Sequence, residues 1–120
     1  MPRPIVDPGS FVPLADLPFQ ILLALGEGAS HGYAIGKEIE ERTSGRLNPT
    51  TGSLYQALRR LREDGLISPL DAAPDGDNGD PRRRYFQLTA LGRRVMALEV
   101  GRLESLVSLA RERSLAPKRS

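Results

Sequence analysis

A chain of 120 residues with 39% apolar side chains has room for one domain with a small core, plus an added helix or tail. It contains no cysteine, which excludes disulfides and thiolate metal sites and fits a reducing cytoplasmic location, and no run of ~18 apolar residues that would cross a membrane. The net charge of +2 is unevenly placed: residues 82–120 carry +7 and residues 1–81 carry −5, so local basic surface exists despite a low total.

Residues 1–13 hold four of the ten prolines plus Gly9 and read as a flexible, extended arm. The stretch MPRPIVDPGSFVP has no long apolar run, so it is expected to be neither a signal peptide nor an anchor. Asp16 is placed as the N-cap of a first helix running to Leu25, with Leu17, Ile21, Leu22 and Leu25 as its apolar stripe. Gly26 and Gly28 end it. A second helix begins at Ser30 or His31 and runs to Thr43, with Tyr33, Ile35 and Ile39 turned inward and Gly45 as its stop.

After a connection of about six residues, short enough for a helix-turn-helix, a third helix runs from Thr50 to Asp64. Leu54, Leu58 and Leu61 are its buried face, and Gly65 its C-terminal stop. Its start carries Thr50, Thr51, Ser53, Tyr55 and Gln56, and its flank Arg59, Arg60 and Arg62. From Arg42 through Arg62 there are five arginines and no acid. Such a helix suits entry into a DNA groove. Leu66–Leu70 and Arg84–Leu88 read as two strands of a wing, joined by the turn-rich DAAPDGDNGDPR. Thr89 caps a last helix reaching Arg113, and residues 115–120 are a frayed tail.

The last helix carries two apolar stripes. Leu91, Val95 and Leu98 form one; Met96, Val100, Leu103, Val107 and Ala110, with Leu106 and Leu109 beside them, form the other. A helix with two faces to bury packs on its own domain and on a partner, for which a second copy is the expected choice. The expected architecture is mostly α: a winged helix-turn-helix over residues 14–88, with three helices and a two-stranded wing, followed by a C-terminal dimerisation helix over 89–114.

Three segments carry a family resemblance. LPFQILLALGEGASHGYAIGKEIEE places His31–Ile35 at the start of the second helix. TTGSLYQALRRLREDGLI resembles the pattern G-[ST]-[LI]-Y-x-x-L-x-x-L-x-x-x-G-L-[IL]. RRRYFQLTALGRRV resembles a returning wing strand followed by T-x-x-G. In this order and spacing, over Leu17 to Arg113, the chain resembles the short-form PadR family of winged-helix transcriptional regulators. The resemblance implies a homodimer on a pseudo-palindromic operator, usually as a repressor, with release by a small aromatic or hydrophobic effector. It also implies that Tyr33, Thr51, Ser53, Tyr55 and the basic residues of the wing contact or frame DNA.

The residues themselves leave some alternatives open. Thr50 suits an N-cap as well as phosphate contact, and Tyr55 suits core as well as DNA. Ser53 and Gln56 are expected to face DNA, and Gln56 suits an adenine edge. Arg59 is the expected phosphate contact of the third helix, while Arg62 could instead pair with nearby carboxylates. Arg82, Arg83 and Arg84 alternate along a strand, so Arg82 and Arg84 are preferred and Arg83 is secondary. The loop Asp71–Pro81 contains four aspartates and no base, which disfavours phosphate contact at the wing tip. An effector pocket is placed among Phe19, Leu23, Met96 and Leu103, although such stripes also serve as plain core.

His31, the single histidine, cannot form a zinc site without cysteine partners and suits a turn or cap. Gly26, Gly28, Gly32 and Gly36 follow a helix rather than a strand, so the dinucleotide fingerprint fails. DGDNGD lacks calcium-loop spacing. With no nucleophile–base pair visible, neither an enzyme nor a cofactor is expected. The alternative is a winged helix that binds only protein.

Overall fold

A computed structural model describes residues 6–71 and 83–117. Four helices and three short strands follow one another: α1 Asp16–Ala24, β1 Ser30–His31, α2 Gly32–Arg42, α3 Thr51–Glu63, β2 Ile67–Pro69, β3 Tyr85–Leu88 and α4 Ala90–Glu112. The antiparallel sheet has the order β1-β3-β2, with His31 opposite Tyr85 and Ser68 opposite Gln87. A two-stranded wing is thus extended by a third strand. Ser30–His31 is too short to show alternation, and only its pairing with β3 makes it a strand.

The core is built from the expected apolar stripes. Ile21, Leu22 and Leu25 meet Ile35 and Ile39 of α2 and Leu54, Leu58 and Leu61 of α3; Ile67, Phe86 and Val95 close it from the sheet and α4. Tyr33 does not join them. It is 67% exposed, and its ring stacks beside His31 at 6.5 Å between centroids. The buried α2 positions are Gly32, Ile35 and Ile39, and this three-and-four spacing leaves residue 33 on the outer side.

Helix ends follow local chemistry. Ala15, not Asp16, occupies the N-cap of α1, and Asp16 lies in the first turn, where its charge suits the helix dipole. His31 caps α2, its Nδ1 accepting from the Ala34 N–H at 3.3 Å. Thr50 caps α3 and Thr89 caps α4. α3 stops at Gly65, with φ +79°: its N–H bonds Arg62 O, and the Leu66 N–H bonds Leu61 O. α2 stops in the same way, but Ser44 takes the first left-handed position with φ 52°, and Gly45, with φ 81°, follows it.

Pro8–Phe11 form a 3-10 turn against α4, and Phe11, Val12 and Leu14 pack on the core. An extended arm over residues 1–13 is therefore not what residues 8–11 form. Residues 1–5, most of the acidic wing loop and Arg82 lie outside the described residues.

Candidate nucleic-acid interface

The recognition helix α3 is held by burial of Leu54, Leu58 and Leu61, which leaves Thr51, Ser53, Tyr55, Gln56, Arg59, Arg60 and Arg62 exposed. Thr50 performs a definite structural task. Its Oγ1 accepts from the Ser53 N–H at 3.1 Å while its hydroxyl donates to Ser53 Oγ at 2.9 Å. One orphan donor of the first turn is thereby satisfied.

Tyr55 is half-exposed, and its ring lies over Gly32 of α2. A Cβ on Gly32 would stand 2.7 Å from the Tyr55 hydroxyl and 2.9 Å from Cζ. The second helix therefore needs glycine here so that the tyrosine can lie across it. Tyr55 is thus not a core residue, and its hydroxyl end lies against α2.

Two depressions flank α3. On the α2 side, a cleft of about 320 Å³ is lined by residues including Tyr33, Lys37, Glu40, Asn48, Thr51 and Tyr55. On the sheet side, a groove of about 220 Å³ is lined by Tyr55, Leu58, Arg59, Arg62, Arg84 and Phe86. Tyr55 borders both. Arg83, the residue before Arg84, turns to a different surface, beside Tyr33, Lys37, Glu38 and Glu41. Both arginines precede β3 rather than lying in it, and they line different surfaces.

The carboxylate pairing open to Arg62 falls to its neighbour Arg60, which stands 3.9 Å from Asp64. Sequence reasoning passed over Lys37, and nothing in its local pattern separates it from the other solvated charges of α2.

The apolar residues of α4 divide differently from their listing by stripe. Val95 is buried and Met96 packs on the protomer's own core, whereas Leu98, Val100, Leu103, Leu106, Val107 and Leu109 are exposed, Leu106 to 50%. Ala110 is half-buried. The first stripe therefore ends at Val95, and Glu99 rather than Leu98 takes the next inward position. Of the four residues assigned to an effector pocket, Phe19 and Leu103 line one depression together with Val100, Glu104, Val107, Ser108 and Arg111, with a volume of about 520 Å³. Leu23 and Met96 do not line it.

Glu99 is a residue the sequence reading missed. Its carboxylate is 1% exposed, accepting from the Leu14 N–H at 2.6 Å and from Arg102 Nε at 2.6 Å. The Arg102 hydrogen bond holds its pKa below the ordinary 4.5 against the opposing effect of burial, and the Leu14 N–H adds to the lowering. The spacing Gly92, Val95, Glu99 is the available signal, but a carboxylate in an apolar stripe reads first as surface.

Among the described residues, no group of three His, Cys, Asp or Glu side chains is arranged to hold a metal, and no helix is long and apolar enough to cross a membrane.

A buried-backed helix with polar residues at its leading end, following a second helix and flanked by a small antiparallel sheet, defines a winged helix-turn-helix fold, an architecture suited to entering a DNA groove. The model of the transcriptional regulator PadR-like family matches residues 21–98, well over half of the chain. The chain belongs to that family of transcriptional regulators.

Solved relatives share the fold. RosR of H. salinarum superposes with a TM-score of 0.67 at 27% identity, covering 87% of this chain and 89% of that one. A PadR-like transcription factor from Bacteroides fragilis gives 0.65 at 26% identity, covering 80% and 87%. A PadR family transcription regulator from Clostridium difficile gives 0.68 at 23% identity, covering 80% and 95%. In sequence, 84 residues are 42% identical to an uncharacterized 37.1 kDa protein of transposon TN4556 from Streptomyces fradiae. The match takes in 70% of this chain and 22% of that protein, so the chain spans about a fifth of that relative's length.

Proposed function

We propose that the protein is a homodimeric repressor that binds a pseudo-palindromic operator through α3 and the wing. The observation that carries this reading is the division of α3, with three leucines buried and Thr51, Ser53 and Gln56 exposed at its leading end. In this reading Thr51, Ser53, Tyr55 and Gln56 meet the major groove, and Tyr33, Arg59, Arg82, Arg83 and Arg84 contact or frame the backbone. Thr50 sets the helix start. The two reading heads of a dimer lie about one helical turn, or ~34 Å, apart.

Dimerisation is assigned to α4, chiefly through Val100, Leu103, Leu106 and Val107, with Ala110 at their edge and Met96 behind them. Exposed leucines and valines in one helical stripe support this assignment, because such a face leaves apolar area in water until it is covered. The depression of Phe19 and Leu103 is the candidate place for a small aromatic or hydrophobic effector. A cytoplasmic location follows from this function.

Footprinting on the DNA flanking the protein's own gene tests the whole reading. Protection of two half-sites about one helical turn apart is expected. Absence of protection, together with a missing or salt-insensitive gel shift, would favour a winged helix that binds protein alone.

A further inference from the structure

Arg59 and Arg62 are three residues apart on α3 and therefore share a face. Arg84 enters the same groove from the residue preceding β3. The groove floor is apolar, formed by Leu58 and Phe86 with Tyr55 at the edge, and no acid lines it. None of the three arginines has an ion-pair partner among the described residues. Three like charges around one small groove repel one another, and an anion seated among them would relieve the repulsion.

The opposite flank of α3 differs. Its cleft offers Lys37 beside Glu40, so its ionic side chains cancel formally. An α-helix with its side chains is about 10–12 Å across, close to the ~12 Å width of the major groove. With α3 inserted, the two phosphate strands run along its two flanks, where these depressions lie.

The geometry points to a phosphate seat between α3 and β3, in which Arg59, Arg62 and Arg84 together hold the DNA backbone on the wing side. Arg62 is thus a backbone-binding residue rather than a partner for local carboxylates, and the α3 flank facing β3 carries more of the electrostatic grip on DNA than the flank facing α2. This inference rests on the DNA-binding reading and assigns the source of its salt dependence.

The test uses a mixed-sequence duplex of about 30 base pairs, since backbone contacts need no operator. Affinity is measured against salt for the wild-type chain and for Arg62→Gln, Arg84→Gln, Lys37→Gln and Arg60→Gln, with the melting temperature of each free protein. Arg62→Gln and Arg84→Gln are expected each to lower the slope of log affinity on log salt by about 0.9, one phosphate contact. Lys37→Gln and Arg60→Gln are expected to lower it by clearly less. Melting temperatures of the two groove variants should be unchanged or raised, because removing one of three like charges relieves repulsion. An unchanged slope in Arg62→Gln while the wild type binds overturns the seat, as does an equal loss in Arg60→Gln. A wild type that fails to bind the duplex at low salt overturns instead the DNA-binding reading on which the seat depends.

Discussion

Gly92 shows how a single missing side chain joins two parts of the molecule. A Cβ there would stand 2.1 Å from the carbonyl oxygen of Leu66. That oxygen also accepts from the Thr89 N–H, so the start of α4 is seated directly on the backbone that follows α3. The obstacle is main chain and cannot rotate away. Gly92→Ala is therefore expected to destabilise by about 1–3 kcal/mol despite alanine's better helix propensity, measured by urea denaturation. Glu99 is the second such position. Its depressed pKa contributes stability that is fully present above the unfolded value near 4.5 and is lost as pH falls through the folded value. Melting temperature should thus fall more steeply below about pH 4.5 in the wild type than in Glu99→Gln. Parallel pH profiles for the two proteins would show that this carboxylate contributes nothing to the acid dependence.

At the level of whole helices, the ends are set by a few bonds that the sequence announces unevenly. Gly65 at the end of α3 was legible because the left-handed conformation there favours glycine. At the end of α2, Ser44 takes that conformation first, and Gly45 after it is left-handed as well, with φ 81°. Ser44→Gly is expected to raise stability by about 0.5–1 kcal/mol, since serine pays a Cβ penalty that glycine avoids, partly offset by glycine's greater freedom when unfolded. Chemical denaturation with an unchanged slope would measure it. In α4, the inward residues Gly92, Val95 and Glu99 continue one face, whereas the exposed leucines and valines lie beyond it. Hydropathy alone assigned Leu98 to the inner stripe, because no apolar count would place a glutamate inside.

For the molecule as a whole, the proposed assembly depends on the outer face of α4. If that face closes a dimer, a charge at its most open leucine in mid-helix would be buried without compensation. Leu106→Asp is expected to sediment as a monomer at micromolar concentration, where the wild type sediments with twice the mass. The same variant should retain its far-ultraviolet helix signal, because Leu106 is 50% exposed in the protomer. Loss of tight operator binding should accompany dissociation, since each half-site then binds separately.

The helices, their leucine stripes and their caps at Thr50 and Thr89 were legible in the amino-acid order, because periodicity and capping are local properties. So was the succession of helices and strands that marks a winged helix. Contacts between distant segments were not. The pairing of His31 with Tyr85 makes a strand of two residues. The Leu14 N–H, 85 positions away in the chain, gives buried Glu99 its reason to be inside. Nor could spacing show that Arg59, Arg62 and Arg84 line one groove while Arg83 lines another surface. Such meetings depend on how helix and sheet pack in space, and the energy that selects them is shared among residues that have no sequence relation to one another.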